Sequence, residues 1–118
     1  MPISEIPIAR LKAELFKTLA HPVRVRALEQ LIEGERSVTE LAAHIDVEIS
    51  HLSQQLAVLR RAGIVETRRE GTNVFYSLKD HHIDEIFAVA RDMLISNLES
   101  SHSLLADLKH TSAVRDAR

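Results

Sequence analysis

Residues 50–55 place Ser50, His51, Ser53 and Gln54 close together, with Gln55 at the edge of the set; all carry short or planar hydrogen-bonding side chains. A glutamine can pair bidentately with adenine, a serine can reach several base edges or a phosphate, and a histidine can donate to guanine. A helix face that only meets solvent more often carries Lys and Glu, although these residues could also form an uncharged solvent face. A second set follows within twenty residues: Arg60, then Arg68, Arg69, Thr72 and Asn73. Guanidinium, hydroxyl and amide groups of this kind suit phosphate oxygens, and at the tip of a hairpin they could also enter a minor groove. The two sets together favour recognition of a nucleic-acid duplex over coincidence.

The remaining composition narrows the alternatives. The chain has 118 residues and a formal net charge of -2, and bases outnumber acids only within residues 48–79, so basic character is local rather than general. There is no cysteine, which removes zinc fingers, redox thiols and disulfide scaffolds, and the length suffices for a core without metal or cofactor. Three glycines fall at element ends or in a turn. No glycine-rich phosphate loop, metalloprotease helix motif or nucleophile elbow is present, so the sequence argues against an enzyme. No apolar run approaches the ~18 residues of a membrane span, and Met1, Pro2, Ile3, Ser4 and Glu5 lack the basic start of a leader, so the expectation is a cytoplasmic protein without membrane contact.

Periodicity supplies the elements that must hold these side chains. Ile8, Leu11, Leu15, Phe16 and Leu19 recur at helical steps over 6–19. Pro22 suits the first position of a second helix over 22–33, preceded by His21 as a capping residue and closed by Gly34. Ser37, Val38, Thr39 and Glu40 form a capping box for a short helix over 38–44. Ile49, Leu52, Leu56 and Leu59 then mark the inward stripe of a helix over 49–62, ended by Gly63. The period switches to two across 64–69 and 74–78, with Gly71 in the turn between them, which predicts a hairpin with Phe75 and Tyr76 on opposite faces. Asp80 precedes a long apolar helix, Ile83 to Leu108, with more apolar surface than a small domain can cover alone.

The predicted fold class is therefore mainly α with a β-hairpin wing, in the order helix, helix, helix, helix, strand, strand, helix: a winged helix-turn-helix. One domain is expected over 1–110, with the helix-turn-helix at about 38–62, the wing at about 64–78, and a flexible tail over 111–118. In this arrangement the helix over 49–62 enters the major groove and the wing touches the adjacent backbone. The competing reading is a winged-helix module that binds protein and reads no DNA.

Four segments in this order and spacing, Leu19 to Arg24, Ser37 to Ala42, Ser50 to Val65 and Arg69 to Leu78, resemble the ArsR/SmtB repressors, with a likeness covering about residues 8–98. The resemblance implies a homodimer through the first and last helices that binds an imperfect palindromic operator, usually released by an inducer.

Many proteins of that family sense metals, and the resemblance locates two kinds of site. A thiolate site at the start of the third helix would fall on Ser37, Val38 and Thr39, which cannot supply it. A last-helix site would take Asp80 and His82 from one chain, with the positions of Met93 and Ser96 from the other, as a candidate for zinc, nickel or cobalt whose remaining ligands are unknown. Asp80 also reads simply as the N-cap of the last helix.

Overall fold

The computed structural model describes residues 7–116, with side chains through residue 110. Residues 1–6, on which the expected absence of a leader was read, lie outside the described residues, as do 117–118. The chain divides into two compact units, one up to Ile83 and one from Asp84 onward. Both halves of the helix-turn-helix and the whole sheet belong to the first.

In the first unit, α1 (Ile8–Leu19) buries only Leu19 and leaves Ile8, Leu11, Leu15 and Phe16 exposed. α2 (Pro22–Glu33) begins as its sequence implies: the His21 ring Nδ1 accepts from the Val23 N–H at 3.2 Å, and Pro22 occupies the first turn, where its missing donor costs nothing. It ends at Gly34, whose φ of 150° and ψ of 174° lie in a region open essentially to glycine alone. Ala27, Leu28 and Leu31 form its buried stripe.

β1 (Arg36–Ser37) leads directly into α3 (Val38–Ile45). The capping box is complete: Ser37 Oγ accepts from the Glu40 N–H at 3.1 Å and Glu40 Oε1 accepts from the Ser37 N–H at 3.3 Å. Such a cap is worth about 1 kcal/mol. α3 stops at Asp46, in the left-handed region at φ 54°, a conformation that Asp tolerates better than most side chains. Three residues on, α4 (Ile49–Arg61) begins. Leu52, Leu56 and Leu59 are fully buried with Leu28, Leu41 and Ile45, each contributing about 1.5–3 kcal/mol of apolar burial.

β2 (Val65–Glu70) and β3 (Asn73–Leu78) pair antiparallel from Val65 opposite Leu78 to Glu70 opposite Asn73, leaving Gly71 and Thr72 as the turn. Gly71 has φ 62°, which its lack of Cβ allows. β1 pairs with the other edge of β3, Ser37 opposite Phe75, so the sheet has the order β1-β3-β2. The Ile64 carbonyl accepts from the Lys79 and Asp80 N–H groups and closes the hairpin base. Described by itself, α5 (His82–Asp116) buries Ile83, half-buries Ile86 and Phe87, and is exposed over 88–110.

Two details depart from the sequence reading. The hairpin gains a third strand, β1, because two residues carry no detectable period and their pairing is set by distant β3. Ile49 is 49% exposed rather than part of the inward stripe; it begins α4 at the stripe's edge. Phe75 and Tyr76 are both half-buried on β3. Helical backbone is described past residue 110, as far as Asp116. The side chains of that stretch lie outside the described residues.

Candidate nucleic-acid interface

Because α4 buries Leu52, Leu56 and Leu59, its opposite face is left to polar groups. Ser50, His51 and Gln54 are exposed there, while Ser53 and Gln55 are half-buried at the margins. The His51 ring centroid is 6.3 Å from that of His21, the cap of α2. Gln55 is not an open donor–acceptor pair. Its side-chain oxygen accepts from Arg24 Nε at 2.8 Å, and Arg24 Nη1 donates to the Thr18 carbonyl at 3.0 Å. Arg24 thereby ties α2 to α4 and to the end of α1. The spacing of Arg24 and Gln55, 31 residues apart, gave no sign of this bond.

Arg60 and Arg61 are exposed in the last turn of α4, where their charge complements the helix dipole as well as any external anion. On the wing, Arg69, Thr72 and Asn73 are exposed around the turn. Among the described residues Arg69 has no carboxylate partner. Its neighbour is unlike it. Arg68 Nε lies 2.9 and 2.8 Å from the two oxygens of Glu35, its Nη2 is 2.6 Å from Glu35 Oε1, and its Nη1 donates to Glu70 Oε2 at 2.9 Å. The guanidinium carbon also sits 4.5 Å from the ring centroid of Phe75, its cross-strand partner. Hydrogen bonds from Arg68 hold the Glu35 carboxyl below its ordinary value, and the carboxylates of Glu35 and Glu70 raise Arg68 further still. Glu35 went unnoticed in the sequence because it lies 33 residues from Arg68, in the segment between α2 and β1.

Asp80 and His82 meet at the start of α5, but as a cap. Asp80 Oδ1 accepts from the His82 backbone N–H at 3.0 Å and lies 2.7 Å from the His82 ring Nδ1. These two contacts, the backbone one foremost, hold the Asp80 carboxyl below its ordinary value. Of the four positions implied for a metal, Met93 and Ser96 offer only a thioether and a hydroxyl, weak donors for zinc, nickel or cobalt, and no cluster of three or more potential ligands occurs among the described residues.

The three-stranded wing behind a two-helix reading unit has clear counterparts. The profile of the family described as bacterial regulatory protein, arsR family, matches residues 21–67. An uncharacterized HTH-type transcriptional regulator of Mycobacterium tuberculosis, Rv0081, is 51% identical over 104 residues, covering 87% of this chain and 91% of the relative. Its crystal structure superposes with a TM-score of 0.73 at 53% identity, over 80% of this chain and 95% of that one. The transcriptional repressor BigR from Xylella fastidiosa gives a TM-score of 0.68 at 44% identity, covering 72% and 87% of the two chains. A homodimeric winged helix-turn-helix DNA-binding domain from Mycobacterium bovis, Mb0332, gives 0.72 at 28% identity, covering 85% and 93%. No helix of the described residues is long and apolar enough to cross a membrane. With half its residues shared with Rv0081 across nearly the whole of both chains, this protein belongs to the arsR family of bacterial regulatory proteins, winged-helix transcriptional regulators rather than enzymes.

Proposed function

We propose that the protein is a homodimeric, sequence-selective repressor, acting in the cytoplasm, that lays α4 in the major groove and sets the wing tip on the neighbouring phosphates. The observation that carries this reading is the exposed face of α4, where Ser50, His51 and Gln54, flanked by Ser53, stand opposite a fully buried leucine stripe. These groups would meet base edges, and Arg60, Arg69, Thr72 and Asn73 would meet the backbone. Gln55 would act through its bond to Arg24, by fixing the helix that carries the others.

Dimerisation follows from the apolar side chains left open on α1 and α5, among them Leu11, Leu15, Phe16, Met93, Leu94 and Leu98. So many exposed large apolar groups mark an interaction surface in a soluble protein. A second copy is the natural cover, as in the homodimeric Mycobacterium bovis domain, and two-fold symmetry would set the two α4 helices about one DNA turn apart on an imperfect palindrome. A protein-binding module without DNA readout has no comparable use for the polar face of α4. Asp80 and His82 enter this reading as a helix cap, and an effector would act elsewhere.

The test is fluorescence anisotropy of chelator-treated protein on the duplex upstream of its own gene and on a scrambled duplex, across a salt series. Selective binding that weakens steeply with salt is expected. Equal affinity for both duplexes at every salt concentration would overturn the reading. Zinc, nickel or cobalt added to the same samples should leave selective binding unchanged if Asp80 and His82 only cap α5.

A further inference from the structure

The wing carries two adjacent arginines in unlike surroundings. Alternation along β2 sends Arg68 and Arg69 to opposite faces of the hairpin. Arg68 lies over Phe75 and directs all three guanidinium nitrogens to carboxylates, two of them to Glu35 and the third to Glu70. The fork of a guanidinium against one carboxylate is the strongest geometry such a pair adopts, and stacking on an aromatic ring holds it in plane. One cation between two anions leaves the cluster with a negative balance, the reverse of what a phosphate contact requires. Arg69 has none of these partners among the described residues.

We propose that Arg68 is a positioning residue that fixes the wing to the Glu35 segment, that Glu35 competes with phosphate and keeps Arg68 off the DNA backbone, and that Arg69 makes the wing's phosphate contact. The proposal rests on the DNA-binding reading above. It separates two neighbouring arginines that sequence alone treats as equivalent, and it assigns Glu35 a part in setting how much of the affinity is independent of sequence.

The salt dependence of binding distinguishes these roles, because each phosphate neutralised adds about 0.9 to the slope of log K against log salt. Arg69→Gln should flatten that slope by about 0.9 and weaken binding to own and scrambled duplexes alike. Arg68→Gln should leave the slope unchanged while lowering affinity for the own-gene duplex, since the wing loses its anchor. Glu35→Gln should free Arg68, steepen the slope by up to about 0.9, and tighten binding to the scrambled duplex, so that selectivity falls. This last result is a gain, which a misfolded variant cannot produce. Arg68→Gln flattening the slope as much as Arg69→Gln, with Glu35→Gln leaving it unchanged, would overturn the proposal. If the parent protein itself binds neither duplex in a salt-dependent way, the DNA-binding reading fails first and the proposal falls with it, an outcome distinct from a parent that binds with Arg68 contacting phosphate.

Discussion

Arg24 on α2 donates from Nε to the side-chain oxygen of Gln55 on α4 at 2.8 Å. Its Nη1 donates at 3.0 Å to the carbonyl of Thr18, in the last turn of α1, where a helix has no acceptor-satisfying donor of its own. One side chain thus joins the end of an apolar helix left open for a partner to the helix whose outer face is proposed to read DNA. Because Ser50, His51 and Gln54 share the outer face of α4, a small change in the seating of that helix would move all three together.

Arg24→Ala is expected to destabilise the fold by about 1–3 kcal/mol, because it leaves the partly buried Thr18 carbonyl and Gln55 oxygen without their charged donor. Gln55→Ala should cost less, since the Thr18 bond survives. Urea unfolding of both variants and of the double variant measures the coupling, expected between about 0.5 and 3 kcal/mol for residues in direct contact. Strict additivity would mean that the Arg24–Gln55 bond carries no net stability. Arg24→Lys should recover only part of the loss, as an ammonium cannot span both acceptors in the same plane.

Gln54→Ala should reduce discrimination at particular base pairs rather than affinity in general, because Gln54 is exposed on the outer face of α4 and carries no charge to release counterions. Competition with single-position operator variants is expected to show a loss of about 1–3 kcal/mol of preference at one or two positions per half-site. Equal weakening on specific and scrambled duplexes would remove Gln54 from the base-reading set.

Local rules made most of the fold legible. The capping box of Ser37 and Glu40, the Pro22 start and the leucine stripe of α4 each depend on residues within a turn or two of one another, and each is found where the sequence puts it. The bonds that distinguish the site residues depend on the tertiary fold. Arg24 meets Gln55 across 31 positions and Arg68 meets Glu35 across 33, and neither pair leaves a period or spacing in the chain. Hence the sequence could nominate Gln55 and Arg68 by residue type, while their engagement with partners inside the protein emerges only when the helices and strands are assembled. β1 is the same case in backbone form: Arg36 and Ser37 become a strand because β3 is beside them.

Asp80→Asn isolates the charge of the α5 cap, since asparagine keeps a capping acceptor while losing the negative charge. The Asp80 carboxyl is held below its ordinary value, first by the His82 backbone N–H and then by the His82 ring. A group depressed in the folded state stabilises the fold above its unfolded value, and that contribution disappears as the pH falls through the folded value. The difference in Tm between parent and Asp80→Asn should therefore persist at about pH 5 and shrink below about pH 4. A difference that stays constant down to about pH 3 would show that the Asp80 charge adds nothing to the cap.

Leu98 is 70% exposed on α5, so Leu98→Glu should cost an isolated chain little and leave its helical content intact. At a two-fold interface the same change would bury two carboxylates without partners, a penalty of several kcal/mol that no rearrangement of flexible leucines can offset. Sedimentation equilibrium is expected to report a dimer for the parent protein and a monomer for Leu98→Glu, with operator affinity falling by more than tenfold because one protomer can hold only one half-site. Phe16→Glu on α1, also exposed in the single chain, should act in the same direction. A Leu98→Glu protein that remains dimeric would exclude this part of α5 from the interface, and a dimeric Phe16→Glu protein would exclude the face of α1 as well.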